Sequence, residues 1–458
     1  MKIFSTILVV GLAAAGVWAM ARTGWDHQFQ LLRDRGDAKV RPLVSAAQLP
    51  VDELTRITLM RGDSPQMVFE RTGSTWSQRE PFEHPMEAFA IRQLAMLARE
   101  AQVADVIAPA KLTEGLSLAG LAIDPPAAQI AYEWPGGSLT LRLGRRSFAG
   151  RAYAQIAGDD SVYIINQKLH ERIFDMDPKE WRDRTLFANA TSEPSRIEWR
   201  NGPVNMALER QGKQWTMVKP AKTRLDKTAI DQLLNAIGQA TVAGFLLDQP
   251  DVPDLAKFGV VGSPVSLSVT WPGSASPESQ GGRTERLIVG ARAGGATHDF
   301  FGFVESRPVV VKITGAVLAA LFKRPQDVVA QTGSGINPAD VKSIIIRKGA
   351  EELKLERDLE KWRSVTPVER EINAAHVQQL LEQLTQLRAL SAEIQDYPRE
   401  LEVATITLHG YDGKAIDTVR IVQEKETNRW GMENGDNVIR IHPAGLQLRL
   451  TAADFGVQ

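Results

Sequence analysis

Apolar and polar positions alternate along much of this chain, and the alternation is punctuated in the same way three times. Ile344-Ile345-Ile346 and Leu353-Lys354-Leu355-Glu356 flank a glycine, the pattern of a β-hairpin. Trp362 begins a third strand-like run, and Pro367 ends it because proline has no amide hydrogen for a neighbouring strand. Six residues further on stands Asn373, a good helix N-cap. Val377, Leu380, Leu381 and Leu384 then follow the i, i+3, i+4, i+7 spacing that lays one helix face on a sheet. Asp226 stands in the same relation to Ile230, Leu233, Leu234 and Ile237, and Glu87 to Ile91 and Leu94.

The spacing is fixed enough to define a repeat. Trp76, Trp215 and Trp362 each follow a Glu-Arg pair, Glu70-Arg71, Glu209-Arg210 and Glu356-Arg357, and each is followed five residues later by Pro81, Pro220 or Pro367. Ten residues before each of these arginines stands another, Arg61, Arg200 or Arg347, with Gly62, Gly202 or Gly349 just beyond. Downstream, Gln93-Leu94, Gln232-Leu233 and Gln379-Leu380 hold a common offset. The repeat-defining residues are therefore Arg71, Trp76, Pro81, Arg210, Trp215, Pro220, Arg357, Trp362 and Pro367. Each tryptophan reads as the core anchor of its copy. Adjacent strand residues point to opposite faces, so Glu70 and Arg71 cannot share one site, and Arg71 is expected to pair with an acidic cross-strand neighbour.

The second half of each copy is less regular. Trp134-Pro135-Gly136 and Trp271-Pro272-Gly273 sit at hairpin-like turns before strands ending at Gly144 and Gly290, and Gly410-Tyr411-Asp412-Gly413 takes that place in the third copy. Residues Gly273 to Gly282, rich in Ser, Gly and Pro, read as an exposed loop. The expected fold class is α+β: three tandem modules of β-β-β-α plus a β-hairpin, behind an N-terminal transmembrane or signal helix. The boundaries are 1–21 for that helix, 22–43 for a linker, and 44–188, 189–333 and 334–458 for the modules, the last being a shorter capping unit.

Ile3 to Met20 carry no charge and as a helix would span roughly 27 Å, enough to cross a bilayer. The run exceeds the usual apolar core of a secretory signal, which favours retention, although Ala19-Met20-Ala21 offers a cleavage site. Arg22, Arg33, Arg35, Lys39 and Arg41 all follow the span, and only Lys2 precedes it, so a bare count of positive charges would leave the body in the cytoplasm. Long domains translocate largely regardless of charge, and the expected placement is a single-pass protein of the bacterial cytoplasmic membrane with its body in the periplasm. Trp25 and Phe29 could lie at the membrane interface or begin a tether.

Composition narrows the chemistry. At 458 residues the chain exceeds one ordinary core, and 43% hydrophobic with 24% charged residues describes a folded body. A net charge of −1 gives no field to draw nucleic acid, which is not an expected partner. The absence of cysteine removes disulfides, thiolate nucleophiles, cysteine metal ligands and the lipidation site of a lipoprotein-like carrier. The seven histidines, His27, His84, His170, His298, His376, His409 and His442, include no i, i+4 pair and no His-x-His, so no metal or other cofactor is expected. Neither Gly-x-Ser-x-Gly nor a phosphate loop is present. Arg61-Gly62-Asp63 spells an adhesion tripeptide, but it falls at a hairpin turn where Arg and Gly recur for structural reasons.

The three-fold Glu-Arg, tryptophan, proline and Gln-Leu pattern behind an apolar N-terminus resembles the bacterial domain-of-unknown-function 4340 family, over nearly the whole chain after about Leu43. The resemblance implies a membrane-anchored envelope protein, some of whose relatives are encoded beside ABC-type transporter components, and it brings no catalytic residues. The leading expectation is a non-catalytic, membrane-tethered periplasmic scaffold or binding protein, accessory to such a transporter or another envelope complex, contacting membrane and protein partners. The alternatives are a hydrolase of envelope polymers, using acids such as Asp248, Asp251 and Asp254, and a periplasmic ligand-binding protein. Those three acids sit in a Pro-rich stretch that reads as a solvated loop.

Overall fold

The structure, a computed structural model, describes residues 41–112, 116–147, 149–188, 192–273, 282–294, 298–394, 399–424 and 427–457. The apolar N-terminal segment, its cleavage site, Trp25 and Phe29 lie outside the described residues, as do residues 274–281 of the Ser/Gly/Pro-rich loop. Among the described residues, no helix is long and apolar enough to cross a membrane. The chain divides into two compact units, Met1–Asp183 with one sheet and Arg184–Gln458 with two.

In the first unit, strands β1 (Arg41–Pro42), β2 (Arg56–Arg61), β3 (Met67–Thr72), β4 (Thr75–Glu80) and β5 (His84–Met86) precede helix α1 (Ala88–Arg99). Strands β6 (Gln102–Ile107), β7 (Ala128–Trp134), β8 (Gly137–Ser147), β9 (Arg151–Ile156) and β10 (Val162–Asn166) follow it. All lie in one sheet in the order β1-β6-β10-β9-β8-β7-β2-β3-β4-β5. Helix α1 therefore carries the chain from one edge strand, β5, to β6 near the opposite edge, and β7 returns to the middle to pair with β2.

The second unit uses this connectivity twice. Strands β11 (Arg196–Asn201), β12 (Val204–Gln211), β13 (Gln214–Lys219) and β14 (Thr223–Arg224) lead into α2 (Lys227–Gln239). Strands β15 (Gly244–Asp248), β16 (Val265–Trp271), β17 (Arg283–Arg292), β18 (Asp299–Val304) and β19 (Val309–Thr314) complete a sheet ordered β14-β13-β12-β11-β16-β17-β18-β19-β15. The next copy has β20 (Ser343–Lys348), β21 (Glu351–Asp358), β22 (Lys361–Thr366), β23 (Arg370–Ile372), α3 (Ala374–Thr385) and β24 (Ser391–Ile394). With β25 (Glu402–His409), β26 (Ala415–Gln423), β27 (Trp430–Glu433) and β28 (Val438–His442), its order is β23-β22-β21-β20-β25-β26-β27-β28-β24.

This overturns the α+β expectation. Each copy is one large antiparallel β-sheet carrying a single long helix, not a β-β-β-α module with an attached hairpin. The second-half strands join the same sheet by pairing with the first strand of the copy, as Arg56↔Glu133, Arg196↔Thr270 and Ser343↔His409 show. Pairings across some 65 to 80 residues leave no local trace in sequence spacing.

The helices bury the faces their periodicity selected. Ile91 and Leu94 in α1, Ile230, Leu233 and Ile237 in α2, and Val377, Leu380, Leu381 and Leu384 in α3 are buried, whereas Leu234 is half-buried. Asp226 and Asn373 cap their helices as expected, accepting from the amides of Ala229 and Ala375, and Glu87, not a favoured capping residue, does the same for α1 by accepting from Phe89 and Ala90. Gly62, Gly202 and Gly349 close the first hairpins at φ +44, +59 and +60, a conformation that glycine adopts freely. Gly73 and Gly212 do the same in the next turn, but the third copy places Leu359 there, at φ +55 and 91% exposed.

That leucine is strained and contributes no burial. Leu359→Gly is expected to raise the stability of the second unit by up to ~1 kcal/mol, since a left-handed backbone costs a side chain about that much. A urea-unfolding curve reads the effect, and an unchanged or lowered midpoint would contradict it.

Candidate functional site

Of the nine repeat-defining residues, the three arginines tie the strand they stand on to the start of the copy through their main-chain amides. In each copy the arginine amide donates to the carbonyl of the residue just before the first strand or next to it, Arg71 to Thr55, Arg210 to Ser195 and Arg357 to Lys342, all at 2.9 Å. The Arg71 guanidinium donates to the carbonyls of Asp52 (2.6 Å) and Gly73 (2.8 Å), and that of Arg357 to Ala339 (3.0 Å) and Pro338 (2.9 Å). The expected acidic partner of Arg71 is thus replaced by main-chain oxygens. Only Arg210 meets a carboxylate, that of Glu193. The neighbouring glutamates make the cross-strand ion pairs, Glu70 with Arg56, Glu209 with Arg196 and Glu356 with Lys342.

Trp76 and Trp362 are core residues, and the Arg357 guanidinium lies 4.9 Å from the Trp362 ring. Trp215 is only half-buried. Across the sheet Trp76 faces Met86 and Trp362 faces Ile372, whereas the two-residue strand β14 stops opposite Thr216 and leaves Trp215 uncovered. Pro81, Pro220 and Pro367 each follow a cis peptide bond beyond a register shift, at Val68/Phe69, Ala207/Leu208 and Lys354/Leu355. The ladder also separates Arg61 from the arginines with which spacing grouped it. Arg61 is the last residue of its strand and donates to the Ile173 carbonyl at 2.8 Å, whereas Arg200 and Arg347 stand one position earlier in theirs.

The candidate catalytic acids do not converge. Asp251 caps the short helix Val252–Lys257 by accepting from the Asp254 amide at 2.7 Å. Asp254 pairs with Lys257 at 2.9 Å, and that hydrogen bond holds its carboxyl below the usual range, while Asp248 ends strand β15. Among the described residues no three His, Asp or Glu side chains are grouped to hold a metal. His170 and His442 are fully buried, and burial pulls each imidazole down to about 4.

A cluster of polar groups joins the two sheets of the second unit. The connecting segment from Val328 to Gly335 pairs on one side with β14: Ala330 donates to the Arg224 carbonyl, Asp226 donates to that of Val328, and Leu225 bridges Val329. On the other side Ala389 donates to Gln331, Gly335 donates to Thr385, and Thr332 bridges Arg388. A Cβ on Gly333 would stand 1.9 Å from the Leu384 carbonyl oxygen, so only glycine lets the segment lie this close to the end of α3. Arg440, wholly buried on β28, donates from Nε to the Ala330 carbonyl at 2.9 Å and from Nη2 to Asp436 at 2.8 Å. Asp436 also accepts from the Thr223 hydroxyl of the second sheet, and Arg388 reaches Asp226 at 3.3 Å. Burial pushes the Asp436 carboxyl up, but the bonds and charge of Arg440 outweigh it and leave it below its ordinary value. Asp417, half-buried nearby, is raised by desolvation, and Arg224 is lowered by desolvation and by the Arg440 charge. The strand equivalents Val309–Thr314 and Val162–Asn166 contain no arginine, so a search for sameness among the copies passes over Arg440.

The family described as "Domain of unknown function (DUF4340)" matches residues 76–257 and again 247–404. The chain belongs to this family. The two overlapping matches fit a repeated domain, and each begins in one copy and ends in the next. No curated protein matches the chain. A solved DnaN sliding clamp (DNA polymerase III subunit beta) from Pseudomonas aeruginosa, bound to griselimycin, aligns with 89% of this chain and 94% of its own at 6% identity. Its TM-score of 0.13 is too low to carry any argument about fold or function.

Two outcomes test this part of the DUF4340 chain. Arg440→Met leaves the Asp436 carboxylate buried without its cation and is expected to cost ~3–5 kcal/mol of second-unit stability in urea unfolding. Adding Asp436→Asn should cost less than the sum of the single changes, because both act on one contact. Separately, each neutral buried histidine contributes stability that is fully present above the unfolded-state value near 6.5. That stability is lost toward pH 4, as the unfolded chain takes up a proton that the folded imidazole refuses. The slope is roughly 1.4 kcal/mol per pH unit per histidine, and His170→Gln with His442→Gln should flatten unfolding free energy against pH across that window.

Proposed function

We propose that this DUF4340 chain is a non-catalytic scaffold or binding protein of the bacterial envelope. On this reading the apolar segment Ile3 to Met20 holds it in the cytoplasmic membrane, its body lies in the periplasm, and it serves an ABC-type transporter or another envelope complex. The observation that carries the reading is what the recurring residues do. Arg71 and Arg357 clasp backbone, Arg210 pairs with Glu193, Trp76 and Trp362 fill cores, and the acids Asp248, Asp251 and Asp254 terminate, cap and pair elements. A chain whose repeated polar groups are committed to its own fold acts through its surfaces. Three large sheets supply broad faces for contact with extended partners.

The reading is tested by purifying the C-terminally tagged chain from detergent-solubilised membranes, with mass spectrometry of its N-terminus and of co-eluting proteins. An intact Lys2 segment together with transporter or envelope subunits is the expected result. A chain cut after Ala21 and eluting alone would overturn it, and so would a hydrolytic activity abolished by replacing Asp248, Asp251 and Asp254 with asparagine.

A further inference from the structure

The second sheet carries a charged row that the other two lack. Cross-strand partners place Lys219, Ala207, Glu198, Ser268 and Arg286 side by side over five strands, β13-β12-β11-β16-β17. The equivalent row is Glu80, Val68, Thr58, Ala131 and Thr140 in the first sheet, and Thr366, Lys354, Ile345, Thr407 and Thr418 in the third. One step along β11, Arg200 faces Asn205 and Ser266. Its counterpart in the third sheet, Arg347, faces Glu352 and pairs with it at 2.9 Å. The second copy has asparagine in place of that acid, so Arg200 keeps its charge available.

The short side chains of Ala207, Ser266 and Ser268 leave a hollow of about 390 Å³ between these charges. Glu198 within it is already held by Arg196 at 2.6 Å, and that bond keeps its carboxyl below the usual range. Arg286 pairs with Glu305 at 3.3 Å, but both side chains are nearly half exposed, where such pairs are weak and exchangeable. The hollow therefore presents Arg200, Lys219 and Arg286 over a floor of hydroxyls. Its lining offers no exposed aromatic ring on which a sugar could stack: Trp199 is buried and donates to the Lys323 carbonyl.

Asn205 also lines a second hollow of about 550 Å³, walled by Pro203, Val204, Pro220, Pro325, Ala392 and Ile394, with Gln326 and Glu393 as its polar members. Lys219-Pro220 runs directly from one hollow into the other. We infer that the two form one docking site for an extended acidic segment of a partner protein. Its carboxylates meet Arg200, Lys219 and Arg286, and an apolar residue beside them enters the proline-walled groove. The inference rests on the scaffold reading and names the chemistry of the partner.

The test places a photo-crosslinking phenylalanine at Ser268 in the full chain, in its own membranes, with the same probe at Thr407 of the third sheet as control. The expected product joins Ser268 to a peptide rich in Asp and Glu with an apolar neighbour, and the Thr407 control gives none. Arg200→Glu, Lys219→Glu and Arg286→Glu together should lower the yield at least tenfold with an unchanged thermal melt, and raised salt should lower it as well. Partners that co-purify with the chain but give no Ser268 product, or a product indifferent to charge reversal, overturn this inference and leave the scaffold reading standing. A glycan product at Ser268 also overturns it. Absence of any membrane partner overturns both.

Discussion

Everything in each copy depends on one long-range pairing, that of β2, β11 or β20 with the second strand after the helix, β7, β16 or β25. In the first sheet β2 takes β3 as a local neighbour on one side and β7 on the other, and the Arg56↔Glu133 partners lie 77 positions apart. Without that pairing the hairpin with its third strand and the later meander would be two small sheets, each with open edges. With it, Ile57 and Leu59 become fully buried at the centre of one core, under Ile91 and Leu94 of the helix. The cost is closure of a long loop before the contact forms, and part of that loop is ordered as the helix that carries the chain from one edge of the sheet toward the other.

The same constraint explains what could be read from the sequence. The hairpin glycines, the capping residues and the helix stripes are local, and each leaves a fixed spacing that survives in three copies. The merging of the two halves into one sheet is not local. Alternation fixes which face a residue occupies, not which distant strand lies beside it, so an α+β module was the natural misreading. Spacing also misled where a turn changed length. The first hairpin is one residue longer than the others between its first strand and Glu70, which places Arg61 a step beyond Arg200 and Arg347 although all three lie ten residues before a marker arginine. Trp215 shows a further limit, because its burial depends on how far the neighbouring strand β14 extends.

Sameness among the copies marks the fold, and departures from it mark what one copy does that the others do not. The marker arginine recurs because in every copy it ties down the segment that enters the first strand, through its own amide in all three and through its guanidinium on main-chain oxygens in the first and third. Arg440 does not recur. It sits where the third sheet meets the second, with Asp436 as its counter-charge and the Ala330 carbonyl as its target. A buried ion pair is a poor way to add stability, since desolvation cancels most of the attraction, but it is selective about geometry: misplaced by an ångström, it leaves two charges unsatisfied. That selectivity would act on how the two sheets of the second unit face each other.

That geometry reaches the surface. The groove beside the charged row takes Pro203, Val204 and Pro220 from the second sheet and Ala392 and Ile394 from the third, with Pro325 from the segment that connects them. One of its walls adjoins the junction, because β24 pairs with β28 and places Ala392 directly opposite Arg440. The polar hollow, by contrast, is built within one sheet and needs no junction. A change at Arg440 should therefore disturb the apolar half of the proposed site while leaving Arg200, Lys219 and Arg286 in place.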